Sequence, residues 1–277
     1  MITVRLHGRM GNQLFEYAAA RALADARGTD VAVDERMLNH MGDASARAHF
    51  AWSVQDSALP PFRYERPLAY LRWRYFGGRP AIRREAGYHA DFLEWPDNTY
   101  LHGYWQREVY FRHLRKTLLA ECRITTPPSP ANVAMAKRIA STLSVALHVR
   151  RGDFLDVAPD QVCSERYYAN ALATLRERLA QDPTVFVFSD DPAWAHAHLP
   201  LPYEKVVVDL NGPEADYEDL RLMASCQHNV ISNSTFSWWG AWLNQNDAKI
   251  VVGPGDPNSP THDSDYLADV WLRTRDA

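Results

Sequence analysis

Four clusters of polar residues each follow a run of residues that is typical of a strand. The richest contains His148, Arg150, Arg151 and Asp153, and it closes the apolar run 145–149. An arginine stays charged at physiological pH, and its planar guanidinium matches two oxygens of a phosphate. We therefore predict an anion-binding pocket here. The alternative from the residues alone is an ion-pair network at the end of a strand, with Asp153 holding one guanidinium.

Two later clusters also follow apolar runs. Asp190 and Asp191 come after 185–188 and precede Pro192, so they either bind a base or hydroxyl of a ligand or cap a helix that begins at the proline. The segment 231–242, Ile-Ser-Asn-Ser-Thr-Phe-Ser-Trp-Trp-Gly-Ala-Trp, places small hydroxyl residues where a helix begins. Free N–H groups at such a helix start are a natural phosphate site, and the alternative is simple capping above core tryptophans.

The fourth cluster is a glycine turn, 8–13, that follows the first predicted strand. Its sequence, Gly-Arg-Met-Gly-Asn-Gln, matches neither G-x-G-x-x-G nor a Walker A loop, which argues against a nicotinamide cofactor. Metal ligands are also sparse, because the 11 histidines show no H-x-x-x-H or H-E-x-x-H spacing and the three cysteines stand alone. Asp263 and Asp265 form a D-x-D in a proline-rich tail, where solvated turn residues are expected. We predict neither a metal nor a cofactor.

The elements that position these clusters alternate between strand and helix patterns. The first half predicts strands at 2–7, 31–34 and 100–104 and helices at 12–26 and 110–119, whereas 38–97 is broken by prolines and glycines. Prolines at 127, 128 and 130 indicate a linker. The second half predicts five strands, at 145–149, 185–188, 205–208, 229–232 and 249–252, each preceded by a helix. Parallel sheets covered on both faces follow from this pattern.

Composition bounds the class of protein. The chain has 277 residues, of which 46% are hydrophobic and 23% charged, so it is globular and large enough for about two domains. A net charge of −4 argues against a general nucleic-acid binder. The N-terminus lacks an apolar run of signal-peptide length, and no run could cross a bilayer. With unpaired cysteines, this predicts a cytoplasmic protein whose association with the inner membrane, if it has any, is peripheral.

Taken together, four motifs resemble the bacterial α-1,2-fucosyltransferases of glycosyltransferase family 11. They are Gly-Asn-Gln-Leu-Phe at 11–15, His-Val-Arg-Arg-Gly-Asp at 148–153, Phe-Ser-Asp-Asp at 188–191 and Asn-Ser-Thr-Phe-Ser-Trp-Trp-Gly at 233–240. The resemblance implies the GT-B architecture, with two Rossmann-like domains facing across a cleft, which we place at 1–126 and 131–277. It also implies metal-independent, inverting transfer of L-fucose from GDP-β-L-fucose to the 2-hydroxyl of a terminal β-galactoside.

The resemblance also assigns residues to the donor. It implies that Arg150 contacts the pyrophosphate, with His148 and a carboxylate of Asp190 or Asp191 facing the guanine. The remaining donor contacts that it implies are Arg151, Ser234, Thr235, Phe236, Gly11 and Asn12, and Arg150, His148 and Asp153 are the expected catalytic group. The glycine loop departs from the family pattern at Arg9 and Glu16, where the family commonly has Gly and Gln.

A general base and the acceptor remain open in the sequence. Glu16, Asp34 and Asp91 are candidate bases in the first half, and a reactive donor needs little help. The expected acceptor is a galactose-terminated oligosaccharide or a lipid-linked glycan of a surface polysaccharide, recognised within 38–97. Alternatives are a fucosyltransferase of another linkage, such as α-1,6 to N-acetylglucosamine, a non-catalytic carbohydrate-binding module and, third, a nicotinamide oxidoreductase.

Overall fold

The computed structural model describes residues 1–59, 68, 71, 80–152, 154–255, 266–268 and 270–275. These residues form two compact units. The first comprises the described residues of Met1–Thr125 together with Tyr266, and the second comprises the other described residues from Thr126 onward. The division falls inside the proline-rich segment that the sequence indicates as a linker. Tyr266 joins the first unit although it lies late in the chain, and its ring lies 6.1 Å from that of Phe15.

The first unit has a five-stranded sheet in the order β3-β2-β1-β5-β4, with all pairs parallel. Its strands and helices are β1 Ile2–Arg5, α1 Met10–Arg27, β2 Val31–Asp34, α2 Arg36–Met41, β3 Gln55–Asp56, β4 Ala81–Arg84, β5 Thr99–His102 and α3 Arg115–Glu121. Short 3-10 helices lie at Ala46–Ala48, Phe92–Glu94, Glu108–Tyr110 and Arg112–Leu114.

The second unit has a six-stranded parallel sheet in the order β11-β10-β9-β6-β7-β8. Its elements are α4 Pro130–Ala140, β6 Ser144–Val149, α5 Phe154–Val157, α6 Glu165–Arg176, β7 Thr184–Ser189, α7 Pro192–His198, β8 Glu204–Val207, α8 Asp216–Ser225, β9 His228–Val230, α9 Thr235–Leu243, β10 Val251–Pro254 and β11 Leu272–Thr274, with 3-10 helices at Pro159–Gln161 and Pro213–Ala215. The chain starts at the centre with β6, adds two strands on one side and then three on the other. This is the strand order of the Rossmann fold.

Apolar runs decide which strands are central. Every residue of β6 is buried, and its alternate side chains Val145, Leu147 and Val149 pack in one core with Tyr167 and Leu172 of α6. The helix α9 is apolar around most of its circumference and is correspondingly buried, with its three tryptophans almost fully inaccessible. The edge strand β4 is exposed throughout, as an edge position allows.

The α/β class with two Rossmann-like units, the components of the GT-B architecture, is confirmed. The cleft between them stays a prediction. The sequence missed β11 and the edge strands β3 and β4, which are short or exposed and so carry little hydrophobic pattern. The helix expected at 110–119 is instead two 3-10 turns followed by α3. Among the described residues, no helix is both long and apolar enough to cross a membrane.

Candidate active site

The second sheet has one switch point, between β6 and β9, where its strand order reverses direction. In open parallel sheets ligands bind beyond the carboxyl ends of the strands at such a point. His148 near the end of β6 and Ser232 just after β9 meet there, with His148 Nδ1 and Ser232 Oγ 2.9 Å apart. The ring of Phe236 lies 5.7 Å from the imidazole. Two of the four sequence clusters are thus brought together by the sheet itself.

His148 is held neutral at this point. Its side chain is almost fully buried, and burial, aided by the nearby charge of Arg150, lowers the pKa of His148 to about 3. A histidine with this pKa does not exchange protons at neutral pH. It is suited to hydrogen bonding and packing against a ligand, and less suited to acid or base chemistry.

Arg150 is fixed by a carboxylate of the neighbouring strand. Its Nη1 lies 2.6 Å from Asp190 Oδ2, and its guanidinium carbon lies 5.0 Å from the ring centroid of Phe154. Asp190 follows β7, which pairs with β6 along its whole length. The ion pair leaves 13% of the Arg150 side chain exposed, enough to offer a cation to a ligand from a preset position.

The same carboxylate also orders the loop after β6. Asp190 Oδ1 accepts a hydrogen bond from the Arg151 N–H at 2.9 Å. A Cβ added to Gly152 would lie 2.5 Å from Asp190 Oδ2, so a larger residue here would push the carboxylate away from its contacts with Arg150 and Arg151. Asp190 is therefore a structural anchor of the Arg150–Gly152 turn. The family resemblance instead implies that Asp190 or Asp191 faces the guanine.

Arg151 and Asp191 are positioned by α7. Asp191 caps this helix, because its Oδ1 accepts the N–H of Trp194 at 3.0 Å, as the capping alternative predicted. The guanidinium of Arg151 lies 4.0 Å over the ring of Trp194. Its Nε also lies 3.8 Å from Asp191 Oδ2, and 22% of the side chain remains exposed to a ligand.

The N-terminus of α9 supplies N–H donors. Ser234 is the residue before the helix, in extended conformation, and its side chain makes no capping hydrogen bond. The first-turn N–H groups of Thr235 and Phe236 are therefore not satisfied by that hydroxyl, and the helix dipole adds a partial positive charge. Beneath them Ser237 Oγ donates to Ser234 O at 3.0 Å, which stabilises the turn.

The switch point of the first sheet lies between β1 and β5. Asn12, at the start of α1, accepts a hydrogen bond from Gln106 Nε2 at 3.0 Å through its Oδ1. Gly8 takes a left-handed φ of 71° close to the Asn12 amide. Gly11 is buried in the first turn of α1. The glycine loop is thus packed between the two strand ends, where a ligand of this unit is expected.

The three candidate bases occupy different environments. Burial raises the pKa of Glu16 well above its usual value. Burial alone would raise the pKa of Asp34 too, but hydrogen bonds from Arg36 and Tyr100 outweigh it and hold that pKa below its usual value, which makes Asp34 a weak base. Asp91 is exposed and accepts from Trp95 Nε1 at 3.0 Å.

Comparison with known proteins identifies the family. The model of glycosyl transferase family 11 matches residues 82–274, well over half of the chain. The chain belongs to this family, and it is a glycosyltransferase. An α-1,2-colitosyltransferase from Escherichia coli is 28% identical over 92% of this chain and 91% of its own, and the galactoside 2-α-L-fucosyltransferase Sec1 of Mus musculus is 28% identical over 95% and 69%. The fold is also similar to the fucosyltransferase NodZ from Bradyrhizobium, with a TM-score of 0.49, 16% identity and coverage of 86% and 92%.

Some predicted residues of this family 11 chain lie outside the described residues. Asp153 is one of them, and so are Asp263 and Asp265 of the D-x-D sequence. Among the residues that the structure does describe, no three His, Cys, Asp or Glu side chains cluster as metal ligands would.

The sequence assigns no individual role to three residues that shape the site of the family 11 enzyme. They are Ser232, the partner of His148, Trp194, which carries Arg151, and Tyr167, whose hydroxyl donates to Ile231 O at the end of β9. The sequence held a signal for Ser232, which lies in the polar segment 231–242, and for Trp194, because an aromatic residue three positions into a capped helix lies over the preceding loop. The contacts of Ser232 and Tyr167 join residues 64 or more positions apart in the chain.

Proposed function

We propose that this family 11 enzyme transfers L-fucose from GDP-β-L-fucose to the 2-hydroxyl of a terminal β-galactoside, with inversion and without a metal ion. Two features carry the proposal: the preset Arg150–Asp190 pair after β6, and the N-terminus of α9, which the side chain of Ser234 does not cap, after β9. The two strands are neighbours at the switch point of a Rossmann-like sheet. Family membership and the names of the relatives support the choice of sugar and linkage.

The geometry suits a diphosphate leaving group. In the proposed displacement, the acceptor oxygen bonds to the anomeric carbon while the bond from that carbon to the phosphate oxygen breaks and its electron pair leaves with GDP. Negative charge then grows on the phosphate. Arg150 and the first N–H groups of α9 are fixed before the reaction, so they stabilise this charge without reorganising. Arg151 adds a second cation at the same edge of the sheet.

The neutral His148 suits the nucleoside end. Its buried imidazole and the Phe236 ring provide one polar and one flat surface at the centre of the switch point. We assign them to the base or ribose of the donor. Asp190 is occupied by Arg150 and Arg151, so in this proposal it acts on the donor through those arginines.

GDP-colitose is a second candidate donor. The relative that is similar over nine tenths of both chains is named a colitosyltransferase. GDP-colitose carries the same diphosphate as GDP-fucose, so the same contacts would bind either donor. The sugar must therefore be decided by experiment. The proposed acceptor is a galactose-terminated oligosaccharide or a lipid-linked glycan, which would bring the enzyme to the inner membrane peripherally.

A GDP-release assay tests the proposal. The purified chain is given GDP-fucose, GDP-colitose or GDP-mannose with lactose as acceptor, in excess EDTA, and the product linkage is determined by NMR. We expect turnover with GDP-fucose and an α-1,2 product. An α-1,6 product, a strict requirement for added metal, or turnover with GDP-colitose alone would each contradict a named part of the proposal.

A further inference from the structure

The polar pair His148–Ser232 lies on one face of the second sheet. Side chains alternate along a strand, so the odd-numbered residues of β6 pack in the core with α6 and His148 points to the other face. There its Nδ1 lies 2.9 Å from Ser232 Oγ, and its ring lies 5.7 Å from that of Phe236 on α9. His148 is 5% exposed and Ser232 is 1% exposed, so the contact between them is shielded from water.

The backbone around Ser232 is fixed on both sides. The Ile231 carbonyl accepts a hydrogen bond from the buried hydroxyl of Tyr167. The Ser232 carbonyl accepts one from the N–H of Ser234 at 2.8 Å. These bonds set where the Cα atom of Ser232 lies, so its hydroxyl reaches His148 from a fixed place. The hydrogen bond at one ring nitrogen of a histidine determines which form the other nitrogen takes.

The hydrogen-bonding needs of the pair decide which imidazole nitrogen carries the proton. Neutral His148 has one N–H donor and one bare nitrogen, and a hydroxyl has one donor hydrogen. Among the described residues, Ser232 Oγ has His148 Nδ1 as its hydrogen-bond partner. If Nδ1 carried the proton, the hydroxyl hydrogen would be buried without an acceptor. Because an unsatisfied buried donor is costly, we assign the hydroxyl as donor to Nδ1 and the proton to Nε2.

Nε2 is the ring nitrogen of His148 that a ligand can reach. It makes no hydrogen bond to any described residue, and it does not belong to the fully buried polar atoms that lack a partner. It therefore keeps accessible surface near the carboxyl end of β6, beyond which ligands bind at the switch point of the sheet. The pair thus offers one directed N–H donor from a ring that stays neutral.

We propose that Ser232 is the positioning residue that fixes His148 as its Nε2–H tautomer, and that this N–H donates to O6 of the guanine of the donor. The inference rests on the proposed function, which brings a guanine nucleotide to this switch point. Guanine has an acceptor at O6 where adenine has an amino group, and both bases share the acceptor N7. An N–H that faces position 6 of the purine therefore selects guanine over adenine. Inosine keeps O6 and lacks only the 2-amino group of guanine, so this contact accepts it too.

The tautomer can be measured without any ligand. The ¹⁵N chemical shifts of an imidazole distinguish a protonated nitrogen from a bare one, and the spectrum of His148→Gln assigns the His148 signals by difference. We expect the wild type to carry the proton on Nε2 at neutral pH. Ser232→Ala removes the donor to Nδ1, so both tautomers should be populated, and Ser232→Thr keeps the hydroxyl and should restore the Nε2–H form. A wild-type proton on Nδ1 would overturn the inference.

Nucleotide binding by calorimetry tests the contact with the base. The wild type should bind GDP and inosine diphosphate with similar affinity, and ADP roughly tenfold more weakly or less. Ser232→Ala should lose roughly tenfold in GDP affinity and most of the preference over ADP, and Ser232→Thr should recover both. Ser144→Ala is the matched control, because Ser144 is equally buried at the other end of β6, where its Oγ accepts the N–H of Gln227. It should bind all three nucleotides like the wild type, and circular dichroism checks the fold of each variant.

The outcomes separate this inference from the proposed function. If Ser232→Ala weakens all three nucleotides equally, Ser232 has only a structural role, and the inference fails while a wild type that transfers fucose keeps the proposed function. A wild type that binds ADP as tightly as GDP overturns the O6 contact in the same way. A wild type that binds no GDP overturns the proposed function and the base contact together, and the ¹⁵N spectrum then decides the tautomer alone. Lost selectivity in Ser232→Ala with recovery in Ser232→Thr supports the inference.

Discussion

At the scale of single residues, the charge on Arg150 matters less than where it is held. Asp190 fixes the guanidinium at 2.6 Å and also binds the next backbone N–H, so the cation and its loop are set by one carboxylate. Holding a charge in place before the reaction spares the enzyme the cost of organising it in the transition state. Arg151 is held differently, on the face of Trp194. The two adjacent arginines are therefore expected to contribute unequally.

Replacing Arg150 by alanine tests this assignment. We expect a loss of about 3 kcal/mol in transition-state stabilisation, roughly a hundredfold or more in kcat/KM with GDP-fucose and lactose. Arg151→Ala should lose less, and Arg166→Ala, an exposed arginine of the same unit, should be unaffected. An Arg150→Ala enzyme that turns over within tenfold of wild type would remove Arg150 from the site.

At the scale of elements, the sheet order explains why distant motifs meet. The apolar runs of β6, β7 and β9 and their parallel pairing were predictable, and with them the common edge at which His148, Asp190 and Ser232 lie. The partner of Arg150 was not predictable, because the sequence offers both Asp153 and Asp190. Only the register between β6 and β7 brings Asp190 to the arginine.

In the first unit, even fewer of the contacts between distant residues could be predicted from the sequence. Glu16, within the alanine-rich run of α1, is visible in the sequence as a departure from the family pattern. Its contact with His7, whose Nδ1 lies 2.5 Å from Glu16 Oε1, is not visible there. The contact depends on the angle at which α1 packs on β1, and no local pattern of residues reports that angle. Edge strands such as β11 were missed because three residues carry too little periodicity.

The N-terminus of α9 can be tested by changing its cap. Ser234→Asp and Ser234→Asn both add a capping side chain of similar size, and each is expected to stabilise the second unit by about 0.5–1 kcal/mol. Only the aspartate places a negative charge where we assign the phosphate. We expect Ser234→Asp to weaken GDP binding several-fold relative to Ser234→Asn, measured by calorimetry, while thermal unfolding shows both variants folded. Equal affinities would place the diphosphate away from this helix.

At the scale of the whole molecule, buried titratable groups make stability depend on pH in opposite directions. Burial lowers the pKa of His148 and His7, so their folded forms stay neutral while the unfolded chain takes up protons below about pH 6.5. Burial raises the pKa of Asp219 to about 7, so this group stays protonated in the fold and costs stability as the pH rises above its unfolded value. The lowered pKa values of the histidines therefore make the fold more stable at neutral than at low pH. The raised pKa of Asp219 makes it more stable at low pH.

The contribution of His148 can be isolated by difference. Its folded pKa of about 3 lies below the unfolded value of 6.5, so keeping it neutral costs the fold roughly 1.4 kcal/mol for each pH unit below 6.5 until the folded pKa is reached. His148→Gln removes that cost along with the Ser232 contact. We expect the variant to be less stable than wild type at neutral pH, with the gap in unfolding free energy narrowing as the pH falls. Denaturant unfolding at several pH values measures the gap, with His196→Gln, an exposed histidine of the same unit, as the control. A gap that is constant with pH would mean that His148 is not held neutral, and its assignment to the nucleoside as an uncharged group would fail with it.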